Sequence, residues 1–289
     1  MTLKEKLKQG KFVVTAELNP PKGTDLTQLY QGVDLLKGKV DACNITDGTG
    51  ALMKAAPVPI ASLVKERGIE PILQLTCRDR NRMALQSELL GAWCLGVRNM
   101  LALGGDPIQI GDHPEAKPVY DLDTLGLIKA AKTLSQGKDL AGKELTGSPD
   151  FFVAAAANPG ADDLDSEMSK TKAKIDAGAD FFQTQAVFEQ AVFDRWWTKV
   201  KGIGKPMILG VILVKSVKMA QYMNKHIPGV HIPDPLMKKL DEAPDKAEAC
   251  VEIASSLIRM VKGAVQGVHI MAIGWEDKIP AVLKRCGLG

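Results

Sequence analysis

The sequence predicts an α/β fold based on a closed barrel of eight parallel strands, and three observations lead to that prediction. Short apolar, β-branched runs alternate with longer amphipathic segments along the chain, and such alternation is typical of a parallel sheet. There are eight such runs, which is the number that closes a barrel. The length of 289 residues suits one barrel of about 250 residues. We therefore expect a single-domain (β/α)8, or TIM, barrel over residues 1–289.

The candidate strands are short and mostly apolar on both faces. This is the pattern of parallel strands that are packed inside the barrel and covered by helices outside it. The candidate strands are residues 12–18, 42–46, 71–76, 99–103, 151–157, 181–186, 206–213 and 268–273.

The segments that separate the strands carry apolar residues at helical spacing. The longest, residues 246–266, has one continuous apolar face. Gly287 follows the last segment at a helix C-cap position. The predicted helices are residues 25–36, 79–95, 121–134, 162–177, 190–200, 216–225, 246–266 and 281–285. An open doubly wound sheet is the alternative, although no G-x-G-x-x-G turn follows the first strand.

Composition excludes several classes of protein. The chain is 45% hydrophobic and 25% charged with a net charge of +3, so neither nucleic-acid nor membrane binding is expected. The N-terminal residues are polar, and the apolar stretch 206–214 is far shorter than the roughly 20 residues of a membrane span. The five cysteines form no C-x-x-C pair, which favours reduced thiols and a cytoplasmic protein.

Polar residues follow the predicted strands, at the barrel end where active sites form. They include Glu17, Thr46, Gln74, Asp106 and Gln185. The four histidines form no metal-binding pair, so no metal is expected. Amides can bind the edge of a heterocycle, glycines let a flat cofactor approach, and a carboxylic acid can donate a proton. These residues favour a cofactor-borne reaction on a nitrogen heterocycle.

Several motifs, in order and with matching spacing, resemble one family. The first strand reads Val-Thr-Ala-Glu17-Leu-Asn-Pro-Pro, and the fourth reads Leu-Ala-Leu-Gly-Gly-Asp106-Pro. Ala-Ala-Ala-Ala-Asn158-Pro follows at the fifth strand, and Lys174-Ile-Asp-Ala-Gly-Ala then Gln-Thr-Gln185 at the sixth. His-Ile-Pro233 and the terminal Lys-Arg-Cys-Gly-Leu also fit. From about residue 10 onward the chain resembles the methylenetetrahydrofolate reductase family.

The resemblance implies reduction of 5,10-methylenetetrahydrofolate to 5-methyltetrahydrofolate with hydride from a reduced flavin. Glu17 matches the general acid of the family, and Asp106 matches the aspartate that contacts both pterin and flavin. Gln185 matches a substrate-binding amide. The flavin contacts implied in this way are Thr46, Gln74, Gly105, Asp106, Ala157, Asn158, Glu167 and Lys174.

The sequence also departs from the family pattern. Gly104 replaces an arginine, and Ala157 lies near the place of an absent tyrosine. Both changes remove contacts to the outer half of a dinucleotide. FAD remains the cofactor that the resemblance implies, and FMN is open. Lys218 stands where NADH-using members carry an aromatic residue. The electron donor is therefore NAD(P)H or an accessory protein, and an oligomer is expected. Two alternatives are a folate-dependent methyltransferase barrel without flavin and an electron-relay subunit of a larger complex.

Overall fold

A computed structural model, which describes residues 1–288, confirms the closed barrel. Its eight parallel strands follow one another in chain order, and β1 pairs with β8 to close the sheet. The doubly wound alternative is therefore wrong. The strands are β1 Val13–Leu18, β2 Ala42–Ile45, β3 Pro71–Thr76, β4 Asn99–Leu103, β5 Phe152–Ala157, β6 Phe181–Ala186, β7 Met207–Ile212 and β8 Gly267–Met271.

Helices surround the barrel, and most of them bury their apolar faces against the strands. They are α1 Leu3–Lys8, α2 Thr27–Leu36, α3 Pro57–Glu66, α4 Arg82–Cys94, α5 Thr124–Ser135, α6 Leu164–Ala177, α7 Gln190–Val200, α8 Val217–His226, α9 Asp234–Glu242, α10 Lys246–Val261 and α11 Ile279–Arg285.

Capping side chains place several helix starts later than the sequence pattern suggested. Asn81 accepts hydrogen bonds from two backbone N–H groups of α4, and Asp163 does the same for α6. Asp123 caps α5 in a similar way. A capping residue lies outside the helix with extended backbone, so the helices predicted from residues 79, 121 and 162 begin two or three residues further on.

One helix and one strand end earlier than the sequence pattern predicted. The helix predicted over 246–266 ends at Val261, because Lys262 is extended and Gly263 has a φ of 104°. The strand predicted over 268–273 ends at Met271, because the left-handed backbone of Ile273 (φ 51°) cannot continue a strand. Helices α1, α3 and α9 were not predicted.

The barrel interior changes from apolar at its amino end to polar at its carboxyl end. An apolar cluster fills the amino end and includes Val13, Ile72 and Phe181. Helix α1 closes that end with Leu3 and Leu7, and the Leu3 N–H donates to Glu70 at 2.8 Å. The polar side chains of the interior therefore lie toward the end at which the strands finish. Among the helices of residues 1–288, none has the length and apolarity that crossing a membrane requires.

Candidate active site

A cavity of about 280 Å³ opens at the carboxyl ends of β1 to β4. Four of the predicted site residues, Glu17, Gln74, Gly105 and Asp106, line it together. The other lining residues are Asp47, Thr49, Thr76, Leu103 and Gly104. The rule that strand ends share one rim therefore brings residues far apart in the sequence to one site.

Glu17 leans into the barrel near a histidine of β8. Its side chain is 17% exposed, and its Oε2 lies 3.8 Å from Nε2 of His269. That separation exceeds a hydrogen bond, so the carboxyl group keeps freedom to reach a ligand. The sequence showed His269 only as an isolated histidine within a strand, and nothing local to it revealed Glu17 as its neighbour.

Gly105 adopts a backbone conformation that favours glycine, with a φ of 97°. A Cβ at this position would lie 2.9 Å from Cβ of Arg78 and 3.2 Å from Cβ of Thr76. The guanidinium of Arg78 donates to the carbonyl oxygens of Asp106 (3.1 Å) and Gly48 (3.3 Å). Arg78 and Thr76 therefore pack closely against the segment of the cavity wall that contains Gly105 and Asp106.

A buried carboxylate that was not predicted as a site residue supports this wall. Asp47 accepts two hydrogen bonds from Thr76, through backbone N–H and hydroxyl, both at 2.8 Å. Arg80 donates to both oxygens of Asp47, at 2.7 and 3.2 Å. The pairing is bidentate, the strongest geometry for these groups. It fixes the loop after β2 to the end of β3.

Lys54 is a further charged group that the sequence reasoning missed. Its Nζ donates to Oδ1 of Asn19 at 3.0 Å. Burial lowers the pKa of Lys54, and the charge of Glu17 acts in the opposite direction. Lys54 also lines a neighbouring cavity of about 330 Å³ with Arg78 and Arg80. A cation therefore lies close to the predicted acid, in the wall of this neighbouring cavity.

Thr46 and Gln185 do not line the 280 Å³ cavity. Thr46 is 1% exposed and its hydroxyl donates to Asn19 at 3.1 Å. Gln185 is half-buried at the end of β6. Both lie at the carboxyl ends of their strands, which is the predicted barrel end.

The predicted contacts on β5 and α6 form a separate group. Glu167 accepts from the backbone N–H of Asn158 at 2.8 Å, and Lys174 donates to the carbonyl of Ala156 at 2.7 Å. Burial lowers the pKa of Lys174, while Glu167 acts in the opposite direction. Asn158 donates to the carbonyl of Pro228 at 3.2 Å, and Ala157 is buried. These side chains anchor the end of β5 in this structure.

Two lysines lie at the rim after β7. The Nζ of Lys215 is 5.3 Å from the ring centre of Trp275, within cation–π range. Lys218 is exposed in the first turn of α8. Within residues 1–288, no cluster of three or more His, Cys, Asp or Glu side chains could hold a metal ion.

An eight-stranded parallel barrel with a polar cavity at its carboxyl rim belongs to the class of (β/α)8 barrels that carry their active sites at that rim. Within this class, the chain belongs to the methylenetetrahydrofolate reductase family, whose sequence profile matches residues 2–287. The resemblance predicted from the motifs is confirmed.

Two relatives illustrate the match. Methylenetetrahydrofolate reductase 1 of Schizosaccharomyces pombe is 26% identical over 289 residues, which cover 96% of this chain and 46% of the yeast protein. The 5,10-methylenetetrahydrofolate reductase of Pectobacterium carotovorum subsp. carotovorum is 27% identical, with 97% of this chain and 92% of that protein covered. The chain thus spans about half of the yeast relative and most of the bacterial one.

Solved structures share the fold. A Clostridium thermocellum protein that binds two copies of 5-methyl-5,6,7,8-tetrahydrofolic acid has a TM-score of 0.68 and 16% identity, covering 99% of this chain and 100% of that chain. A 2,3-dimethylmalate lyase has a TM-score of 0.53 and 16% identity, covering 99% of this chain and 87% of the lyase. At these identities the likeness shows the barrel alone.

Proposed function

We propose that this chain reduces 5,10-methylenetetrahydrofolate to 5-methyltetrahydrofolate with hydride from a bound reduced flavin and a proton from Glu17. One observation carries the proposal. In a chain of this family, Glu17 and Asp106 line a single cavity with Gln74 and Gly105. An acid, an anion, an amide and an open backbone wall suit a cofactor-borne reaction on a nitrogen heterocycle.

The lining of this cavity fits a flat cofactor. A Cβ on Gly104 would meet only the Thr124 hydroxyl, at 3.9 Å, so this glycine leaves the wall open to a ligand. Gln74, from β3, offers both an amide donor and an amide acceptor for the edge of a ring. Gln74, Gly104 and Gly105 would therefore hold the flavin ring. When bound and reduced, the flavin would supply the hydride.

Glu17 would move the proton. It would donate to a nitrogen of the five-membered ring of the bridged folate, and the electron pair of the breaking C–N bond would pass to that nitrogen. The ring would open to an iminium cation, whose methylene carbon becomes the methyl group when it accepts hydride. Asp106 would stabilise the cation by charge. Its Oδ2 accepts from the backbone of Gly50, which leaves Oδ1 for the pterin.

We propose FAD as the cofactor, because the chain belongs to this family and its Glu167 and Lys174 match the residues that the resemblance implies as contacts to the cofactor ribose and phosphate. Three observations favour FMN, which is the other outcome. Gly104 offers no side chain to a phosphate, and Ala157 is buried. Glu167 and Lys174 would bind the outer half of FAD only by giving up their bonds to β5. Chromatography of the flavin released by denaturation distinguishes the two cofactors.

The electrons would reach the flavin from an accessory protein, with direct NAD(P)H use as the competing route. The support is the exposed Lys218 in the first turn of α8, where a lysine offers no stacking surface to a nicotinamide. Lys215 adds a second positive charge at the same rim. The two charges would attract an acidic partner, and they would attract the phosphates of a dinucleotide as well. The missing stacking surface is therefore the observation that favours the accessory protein.

One experiment tests the proposed reaction. The purified protein is reconstituted with flavin, reduced anaerobically and mixed with 5,10-methylenetetrahydrofolate, and the visible absorbance of oxidised flavin is followed. We expect the absorbance to return as 5-methyltetrahydrofolate forms. Folate binding without any flavin would favour the methyltransferase alternative. Bound flavin that the folate does not reoxidise would favour the electron-relay alternative.

A further inference from the structure

Two amide side chains form hydrogen bonds with each other across the inside of the barrel. Asn44, on β2, donates through Nδ2 to Oε1 of Gln183, on β6, at 2.7 Å. Gln183 donates back through Nε2 to Oδ1 of Asn44 at 3.1 Å. The two strands are four places apart in an eight-stranded barrel, and the side chains are 0% and 4% exposed. The pair therefore spans the full width of the interior.

The amide pair continues into a chain of hydrogen bonds that ends beside Glu17. Gln183 Nε2 also donates to the hydroxyl of Thr15 at 3.3 Å. That hydroxyl lies 2.9 Å from Nδ1 of His269, and Nε2 of the same ring lies 3.8 Å from Glu17. Asn44, Gln183, Thr15 and His269 are all buried. A buried polar network of this kind fixes the orientation of each of its members.

The direction of this chain favours one position for the proton on the His269 ring. The Thr15 hydroxyl oxygen accepts a hydrogen bond from Gln183. The hydroxyl proton of Thr15 is therefore available for donation to a different acceptor. It can point to Nδ1 of His269 at 2.9 Å or to the Val268 carbonyl at 3.4 Å, and the shorter distance is the ordinary hydrogen-bond length. Nδ1 is then an acceptor, and a neutral ring must carry its proton on Nε2, the nitrogen that faces Glu17.

We propose that Asn44 and Gln183 are positioning residues for Glu17, acting through Thr15 to hold His269 as the neutral Nε2–H tautomer directed at the Glu17 carboxyl group. The proposal rests on the proposed function for the role of Glu17. A neutral N–H donor stabilises the carboxylate left after proton transfer. An imidazolium would instead form an ion pair with Glu17 and oppose its reprotonation for the next cycle.

A double variant removes both amides together, so that neither is left buried without its partner. Asn44→Leu/Gln183→Leu removes both amides while roughly keeping volume, which is the exchange that folds tolerate best. Gln183→Met alone keeps the approximate shape of the side chain and removes its donor and its acceptor, which leaves the Asn44 amide without its partner. The control is Thr171→Val, which removes a hydroxyl that is buried in α6, outside the barrel, and has no hydrogen-bond partner.

The direct readout is nitrogen NMR of the protein labelled at histidine, with the His269 signals assigned by their loss in His269→Gln. We expect the Nε2–H tautomer in the wild type and in Thr171→Val, and a mixture of tautomers or imidazolium in the double variant. A wild-type ring protonated on Nδ1 would overturn the proposal, as would an unchanged tautomer in the double variant. If the double variant does not fold, Gln183→Met gives the same test.

This readout needs neither folate nor flavin turnover, so it can succeed or fail independently of the proposed function. The functional readout is the rate at which methylenetetrahydrofolate reoxidises the reduced flavin. Hydrogen-bond partners that orient metal-bound imidazoles typically contribute tenfold to hundredfold. By analogy we expect a loss of roughly that size, with flavin binding unchanged. A double variant with wild-type folate reduction would contradict the positioning role even if the tautomer changed.

Discussion

Asp106 accepts a hydrogen bond from the backbone N–H of Gly50 at 2.7 Å, which joins the loop after β4 to the loop after β2. The two loops also meet at Gly111, where a Cβ would lie 2.0 Å from the carbonyl oxygen of Ala51. The anion proposed to stabilise the folate cation is therefore positioned by backbone contacts between two loops.

Asp106→Asn should impair folate reduction, because the amide keeps the shape and loses the charge. We expect the rate of flavin reoxidation by methylenetetrahydrofolate to fall roughly 10²-fold. Asp150→Asn, at the opposite end of the barrel in an exposed pair with Lys4, should leave that rate unchanged. Equal rates in the two variants would remove Asp106 from the mechanism.

Glu17→Gln should remove the proton donor while keeping the side-chain shape. General acid catalysis contributes at least about 10²-fold, so we expect folate reduction to fall by that factor or more. Reduction of the flavin by an artificial donor should persist, since it does not need the acid. Near-normal folate reduction in this variant would show that another group supplies the proton.

Gly105→Ala should destabilise the fold and weaken flavin binding. A non-glycine residue at this φ costs roughly 1–3 kcal/mol, and here its Cβ would also contact Thr76 and Arg78. Gly137→Ala is the matched control, because its φ is 80° and nothing lies within 4 Å of its Cβ. Chemical denaturation of both variants measures the difference, and equal losses would show that crowding at Gly105 costs nothing.

A thiol reagent at neutral pH should label one cysteine quickly. Burial raises the pKa of Cys77 to about 11 and that of Cys250 to about 12, and it raises the pKa of Cys43 and Cys286 as well. The reactive thiolate is therefore scarce at these four sites, whereas Cys94 is exposed. Mass spectrometry should show rapid single labelling that disappears in Cys94→Ser. Rapid labelling of a second site would mean that the barrel opens readily.

NADH and NADPH should reduce the flavin slowly when the protein is assayed alone. Lys218→Phe would create an aromatic surface in the first turn of α8 and should increase NADH-dependent flavin reduction. Lys225→Phe, in the last turn of the same helix and also exposed, should not. Rapid wild-type turnover at micromolar Michaelis constants would show that no partner is needed and that Lys218 does not indicate one.

The strands were predictable because each is buried on both faces, so its sequence is a nearly continuous apolar run. Helix α3 was missed because it opens with Pro57 and Pro59, which read as a turn although proline suits a first helical turn. Helix α1 has six residues, too few to show a helical period.

The site was predictable only as far as the strand-end rule reaches. It grouped Glu17, Gln74 and Asp106 correctly, because a closed parallel barrel brings every strand end to one rim. The strand-end rule could not show that Asn44 contacts Gln183. That contact depends on how β2 and β6 are placed across the interior from each other, which the sequence of neither strand reveals. The partners of Glu167 were equally hidden, since they are backbone atoms rather than side chains.

The pairing of β1 with β8 has a consequence for how the chain is made. Val13 and Gly267, which are partners in the sheet, leave the ribosome roughly 13 to 50 seconds apart at common synthesis rates. Throughout that interval β1 is an edge strand on its outer side, able to pair with other nascent chains. Closure of the barrel is therefore one of the last events of folding, because it must wait until β8 has been made.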